Sequence, residues 1–549
     1  MMTAMPQDRY WPEAGPGGKL RVERHFDGRH FRCFSERPAH LDALFRESLR
    51  RRADKEAIID GGRRLTYAAL DRLVDHMAGN LARRGVAQGE RVALLLGNCP
   101  EFLVAVLACA RLGAIAMPIG TRQKAAEIEY LLNDSGAMAL IFAGELAAEL
   151  PAPEAAPRLR LRVAVGESVA GAEPVAALLA PGAPPPAVAV AEEDTAIILY
   201  TSGTTGKPKG ALLSHLNIIH SLIHFARCLA LGAEDRALLA VPATHVTGTV
   251  AILLTMVYCG GATVLLGAFK ARSFLELAAS ERVTYTLMVP AMYILCLMDP
   301  EFDRFELGAW RIGGFGGAPM PEATVAALAE RLPWLRLVNT YGATETTSPT
   351  AMMPAGEANA HAASVGQVVP CGEVRIVDEQ GREVPPGTPG EIWIRGPMVV
   401  AGYWNKPEAT AAGFTDGFWR SGDIGALDAE GFLSVFDRLK DMINRGGYKI
   451  FSAEVENALA YHPGVVECAV VGSPDPVLGE RVCAFVLPRD ETVTADEIRR
   501  FCAGRMADYK VPERIELVRE PLPRNANGKV VKAPLRQRIA GAAGERPAG

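Results

Sequence analysis

The sequence predicts an α/β fold that gives way to a β-rich stretch and then to a small α+β unit. Three observations carry that reading. Apolar runs of strand length alternate with segments of helical period from about Leu41 to Phe142, and again from Thr195 to about Pro354. From Ser364 to about Gly431, short runs such as EVRIVD and GEIWIRG sit between Gly/Pro turns. From Asp437 onward, helix and strand patterns follow on a smaller scale.

Residues 1–40 are rich in charges, glycines and prolines and read as irregular. RVALLLGN (91–98) reads as a strand. PEFLVAVLACARLG (100–113) reads as a helix that stops at Gly113, because glycine readily takes the left-handed conformation that ends helices. Residues 145–192 are rich in Ala and Pro and read as a loose surface connection. TAIILY (Thr195–Tyr200) reads as a strand, and ALLSHLNIIHSLIHFARCLAL (211–231) as a helix. The loop between them then lies at a sheet's carboxyl edge, where open α/β sheets bind ligands.

Val246–Phe269 carries no charge and is long enough to span a membrane. Gly248, Gly260, Gly261 and several threonines interrupt it, so it reads as a buried helix to about Tyr258, a turn, and a buried strand ATVLL. LRLVN (335–339) reads as another strand. In the last unit Ser452 reads as an N-cap with Glu454 and Glu456 in the first turn, and ADEIRRFCAGRM as a further helix.

At 549 residues the chain exceeds one core, and roughly three or four compact units are expected. With 49% hydrophobic and 22% charged residues it should fold and dissolve. A net charge of −5 without a long basic block argues against nucleic acid or an anionic membrane as partner. The ten cysteines form no CxxC pair, and the first residues lack an apolar signal core, so reduced thiols in the cytoplasm are expected. The ten histidines form no HExxH and show no zinc spacing.

YTSGTTGKPKG (Tyr200–Gly210) holds the ingredients of a phosphate-binding loop. Gly203 and Gly206 permit close backbone approach, Thr201, Ser202, Thr204 and Thr205 supply hydroxyls, and Lys207 and Lys209 supply charge. The spacing is not that of GxxxxGK[ST]: Gly203 and Gly206 stand too close, and Pro208 follows Lys207. A flexible linker has similar composition, but the flanking periodic segments argue against it.

Four further stretches join this loop: TYGATET (Thr340–Thr346), WRSGDIG (Trp419–Gly425), DRLKDMINRGGYKI (Asp437–Ile450) and NANGKVVK (Asn525–Lys532). In this order, from about Leu41 to Arg538, the set resembles the adenylate-forming superfamily of acyl-CoA synthetases, peptide-synthetase adenylation domains and beetle luciferases. The resemblance implies a large N-terminal domain, residues 1–436, of two α/β layered subdomains plus a β-rich subdomain. It also implies a small mobile α+β domain, residues 437–549, with a hinge near 437–440 at Lys440.

The implied reaction joins a carboxylate to ATP as an acyl-adenylate and passes the acyl group to a thiol. The carboxylate is already ionised at neutral pH and needs no base. Charge builds on phosphate oxygens, so catalysis is positioning and electrostatic stabilisation. By resemblance the loop Thr201–Gly206, with Lys207 and Lys209, grips the outer phosphates and Glu345 holds Mg²⁺. Thr344 contacts the α-phosphate, and Tyr341, Gly342, Gly317 and Ala318 surround the nucleotide. Asp423 and Arg438 bind the ribose. Lys529 reaches between carboxylate and α-phosphate, and Gly446 and Gly447 line the thiol tunnel. His245 orients the acid, in a pocket lined by Val246, Gly248, Phe315, Gly316, Ala343 and Met352.

Each residue also has a plain structural reading. Glu345 could be a helix-start acid, Asp423 a turn aspartate, His245 a core histidine, Lys529 part of a solvated tail, and the paired glycines a hairpin turn. A non-catalytic homologue would be expected to have lost Glu345, Asp423, Arg438 or Lys529, and all four are present.

Coenzyme A is the expected acceptor, since no carrier serine motif follows Lys529 and no HHxxxDG appears. A free-standing carrier protein and luciferase-like oxidation are the alternatives. With no Arg or Lys in the lining stretches, the acid is expected to be an uncharged-tail monocarboxylate. A short- to medium-chain aliphatic acid is favoured, and an aryl or arylpropenoic acid is the alternative. A homodimer is compatible with the resemblance, and no integral membrane span is expected.

Overall fold

The strand Arg91–Leu95 is buried along its whole length and lies in the middle of a seven-stranded sheet. A continuous apolar run covered on both faces is the pattern of a parallel strand. In this computed structural model, which describes residues 5–26, 28–201, 207–524 and 530–544, the strand's neighbours are Ile115–Pro118 and Ala139–Ala143, both parallel to it. The helix Pro100–Leu112 ends as the sequence predicts, with Gly113 at φ +65°.

The chain forms two compact units. One comprises Met1–Arg375, Trp393–Arg420 and Ala429–Leu433, and the other Ile376–Ile392, Ser421–Asp428 and Ser434–Gly549.

Three expectations about the first unit are corrected. Within residues 1–40, Leu20–His25 and Arg29–Phe34 form an antiparallel hairpin. Its alternation is hidden because charges on both strands find partners: Arg37 donates to Glu23 at 2.6 Å, and His25 lies between Glu23 and Glu193. On Arg29–Phe34, Phe31 and Cys33 share one buried face and Phe34 is buried on the other. This N-terminal segment is also held by Arg227, which donates to the carbonyls of Pro12 and Gly18, and by the Trp11 indole, which donates to Val368 O at 2.7 Å.

Within 145–192, Leu161–Val165 extends the seven-stranded sheet in parallel. The surrounding Ala/Pro composition masks this strand.

The third correction concerns the phosphate loop. The helix does not follow it directly. Lys209–Ser214 is a strand, antiparallel to Thr195–Thr201, with Thr201 opposite Lys209. KGALLS satisfies both periodicities, and the helix begins only at His215, where Ser214 Oγ accepts from Asn217 N and Asn217 Oδ1 accepts from Ser214 N. The two strands therefore form a hairpin.

A second sheet in this unit places Arg236–Leu239, Tyr285–Met288, Ile312–Phe315 and Arg336–Tyr341 side by side and parallel. The uncharged run folds as predicted, with one addition. Thr247–Leu254 is a π-helix leading into Thr255–Cys259, Gly260 turns at φ +71°, and the buried strand Ala262–Leu265 follows. Among the described residues no helix is long and apolar enough to cross a membrane.

The second unit contains a five-stranded sheet with Gly479–Pro488 between Val465–Asp475 and Ile443–Arg445, and with Arg514–Leu517 alongside in parallel. Alternation along Val465–Asp475 serves two cores: Val470 packs with Val455 and Leu459, while Ala469 and Val471 pack with Leu535 and Ile539. The predicted cap at Ser452 is corrected by one position. Phe451 precedes the helix, Ser452 is its first residue, and the Asp437 carboxylate accepts from both Ser452 N and Ser452 Oγ. A remote acid thus supplies the cap, which no local pattern announces.

Candidate active site

Parallel strands that lie side by side end at one edge, so the segments that follow them emerge together. In the second sheet these segments are 241–248, 316–318 and 341–345. They carry His245, Val246, Gly248, Gly316, Gly317, Ala318, Tyr341, Gly342, Ala343, Thr344 and Glu345. The topology therefore gathers the predicted acid-lining and nucleotide residues of this unit at one edge.

Glu345 is buried to 9% exposure, while Tyr341, Ala343 and Thr344 before it are half-buried. A turn closed by Thr346 carries it: Ala343 N donates to Thr346 Oγ1 at 2.9 Å, and that hydroxyl donates back to Ala343 O. Tyr403 OH donates to Glu345 Oε1 at 3.0 Å, and Val400 N donates to Glu345 O at 2.9 Å. Burial, and then the neighbouring carboxylate, push the Tyr403 hydroxyl well above its usual range, so it stays a donor. A buried carboxylate of hard oxygens, steered by a neutral donor, fits a magnesium ion.

Of the phosphate loop, Ser202, Gly203, Thr204, Thr205 and Gly206 lie outside the described residues, as does Lys529. Lys207 is exposed, with Nζ 5.2 Å from the Tyr130 ring centroid, and Lys209 Nζ lies 5.3 Å from the Tyr403 ring centroid. Tyr130 OH donates to Pro208 O at 3.0 Å.

Asp134 ties the hairpin down. Its carboxylate accepts from Tyr200 OH at 2.8 Å and from Lys406 Nζ at 2.6 Å, and its main-chain oxygen accepts from the Trp404 indole at 3.1 Å. Trp404 N in turn donates to Gly210 O at 2.7 Å. A Cβ on Gly210 would sit 2.7 Å from Ile198 Cγ2, so any larger residue would force a shift there. Sequence reasoning missed Tyr130, Asp134, Tyr403, Trp404 and Lys406. Tyr130 and Asp134 stand one helical turn apart, which was the available signal.

On the acid side, Asn98 pins the segment before His245. Its amide donates to Val241 O at 3.0 Å and Leu266 O at 2.9 Å, and its oxygen accepts from Ala243 N at 2.7 Å. His245 and Val246 are half-buried at the head of the π-helix, where Thr249 N donates to His245 O at 2.8 Å. Gly248 and Gly316 have structural grounds of their own: a Cβ would meet Pro242 O at 2.2 Å and Thr340 O at 2.4 Å respectively. Phe315 and Met352 are buried, Met352 opposite Thr340 in an antiparallel pair. Gly317 turns at φ +78° and Ala318 is exposed.

In the second unit Asp423 and Arg438 are brought together, with Nε 2.7 Å from Oδ1. Asp423 is 5% exposed, and its N–H donates to Ser421 Oγ at 2.9 Å. Leu439 N donates to Gly422 O at 2.8 Å, and Arg536 donates to the main-chain oxygen of the exposed Lys440 at 3.2 Å. Gly446 and Gly447, at φ +59° and +91°, form the two-residue turn between Ile443–Arg445 and Tyr448–Ile450. That turn demands such residues without reference to any ligand.

Residues 45–404 match the AMP-binding enzyme family, and residues 454–529 match the AMP-binding enzyme C-terminal domain. A feruloyl-CoA synthase of Amycolatopsis sp is 38% identical over 88% of this chain and 96% of its own. A long-chain-fatty-acid–CoA ligase of Mycobacterium tuberculosis is 34% identical over 86% and 93%. The crystal structure of an anthranilate CoA ligase in complex with anthranoyl-AMP superposes with a TM-score of 0.86 at 28% identity, covering 93% of this chain and 99% of that one.

Proposed function

Because the chain belongs to the AMP-binding enzyme family, we propose that it is an ATP-dependent carboxylic acid–CoA ligase that releases AMP and pyrophosphate and acts on an aryl or arylpropenoic acid. The observation that supports the class is the convergence of 241–248, 316–318 and 341–345 at one sheet edge with Glu345 buried among them. The greater identity to the feruloyl-CoA synthase supports this choice of acid. The aliphatic preference expected from the small and apolar lining is the second reading, favoured by the likeness to the fatty-acid ligase.

In the first step an oxygen of the acid attacks the α-phosphorus of ATP, and the bond to pyrophosphate breaks. Thr201, Lys207 and Lys209 on the hairpin stem, with Ser202–Gly206, hold the outer phosphates, and Thr344 holds the α-phosphate. Glu345 holds the metal, which neutralises charge on the phosphates when bound. Tyr341, Gly342, Gly317 and Ala318 surround the adenine, while Asp423 accepts from the ribose hydroxyls and Arg438 supports it. Lys529 neutralises the reacting carboxylate and α-phosphate. His245 orients the acid between Val246, Gly248, Phe315, Gly316, Ala343 and Met352.

In the second step the CoA sulfur attacks the acyl carbon and AMP leaves. The domain from Asp437 pivots at Lys440 between the steps, bringing Gly446 and Gly447 to the thiol's path.

The test is product analysis by mass spectrometry with Mg-ATP, CoA and a pool of ferulate, cinnamate, benzoate, octanoate and palmitate. Aryl-CoA and AMP support the first reading, and aliphatic acyl-CoA moves it to the second. AMP without any acyl-CoA sinks CoA as acceptor and points to a carrier protein.

A further inference from the structure

We infer that Tyr403 is a positioning residue for this reaction: its hydroxyl orients the Glu345 carboxylate and its ring places Lys209, so that the metal-holding and phosphate-holding groups are fixed to one side chain. The inference deepens the proposed function and rests on its reading of Glu345.

Tyr403 touches a different functional group with each of its two parts. The hydroxyl donates to Glu345 Oε1 at 3.0 Å, which restricts the carboxylate's last torsion. The ring presents its π-system to the Lys209 ammonium 5.3 Å from its centroid, within the range of a cation–π interaction.

The residue itself is held on several sides. Its main chain pairs with Ala211, and the bonds on either side, Leu212 N to Gly402 O at 3.2 Å and Trp404 N to Gly210 O at 2.7 Å, tie it to the strand that begins at Lys209. Tyr403 N donates to Thr410 Oγ1 at 3.0 Å, and Phe414 packs edge-on against the ring at 5.9 Å. As mere filling, a phenylalanine would serve equally, and only the hydroxyl reaches Glu345. Partners that orient a metal-binding carboxylate typically change metal affinity when removed.

The experiment measures ATP binding by calorimetry across a magnesium series, with AMP binding without metal as the control. Tyr403→Phe is expected to raise the magnesium needed for half-maximal ATP binding about tenfold or more, with AMP affinity unchanged. Tyr403→Leu, which also removes the ring, is expected to lose ATP affinity even at saturating magnesium. In a Glu345→Gln background, Tyr403→Phe is expected to add nothing, since two changes acting through one group do not sum. An unchanged magnesium requirement in Tyr403→Phe, or equal loss of ATP and AMP binding, overturns the inference while Glu345→Gln still shifts the requirement. If Glu345→Gln leaves the magnesium dependence unaltered, the reading of Glu345 falls and the inference with it.

Discussion

Lys406 Nζ lies 2.6 Å from Asp134 Oδ1, and this ion pair joins the segment after Tyr403 to the helix Ala125–Ser135. The same carboxylate holds Tyr200, the residue before the hairpin's loop. Lys406 is one-third exposed and Asp134 is 8% exposed, so the pair stands between a surface and a buried ion pair.

Replacing Lys406 by Met should therefore cost about 1–2 kcal/mol in urea unfolding, between the values usual for the two classes. Because the hairpin stem loosens, the KM for ATP should rise more than the KM for CoA. A rise of equal size for both substrates would show that the pair does not act through the phosphate loop.

Acid should destabilise the protein through one helix. His215, His220 and His224 lie buried on His215–Cys228, and burial lowers all three, His215 and His220 to about 3 and His224 well below its usual range. Neither ring nitrogen of His224 finds a partner among the described residues. Each folded-state value lies below the unfolded one, so the unfolded chain gains protons first. The stability is complete above about pH 6.5 and falls as pH drops toward 3, by about 1.4 kcal/mol per pH unit for each ring. The melting temperature measured from pH 8 to pH 4.5 should be flat and then fall steeply, and His224→Leu should soften the fall. A melting temperature constant down to pH 5 would refute this account.

Gly316 tests the sheet edge itself. In Gly316→Ala the added Cβ would meet Thr340 O, a backbone atom, at 2.4 Å, so the strand carrying Tyr341 must shift. A stability loss of about 1–3 kcal/mol and weaker AMP binding are expected. Gly317→Ala, which puts an L side chain at φ +78°, should cost about 1 kcal/mol. Unaltered AMP binding in Gly316→Ala would separate the strand from the nucleotide.

Lys529→Ala should separate the two half-reactions. Adenylate formation should fall at least ~10²-fold, about 3 kcal/mol of barrier, while thioester formation from supplied acyl-adenylate persists. Rapid-quench assays of each half-reaction decide it. Equal loss in both would contradict a pivot at Lys440.

How much of this was legible depended on how local each cause is. The helix Pro100–Leu112 is readable because its period, its N-terminal proline and its terminal glycine all lie within the segment. The strand Lys209–Ser214 is not, because its six residues suit either period and only pairing with Thr195–Thr201 decides. The phosphate loop, Glu345 and the Asp423–Arg438 pair stand out by motif. The residues that hold them do not: Asp134 meets Tyr200 across 66 positions and Lys406 across 272. Asp437 capping Ser452 is likewise non-local.

The family match begins at residue 45, yet the fold of this unit does not. Trp11 donates to Val368, Arg227 is bonded to Pro12 and Gly18, and Phe34 stacks on His220 while its N–H donates to that ring at 3.3 Å. A fragment that begins where the family match does would strip Phe34 from a helix that buries three neutral imidazoles and leave Arg227 without these carbonyl partners. The packing of this unit therefore reaches back to Trp11, and the edge of a family match and the edge of a packed unit fall at different residues.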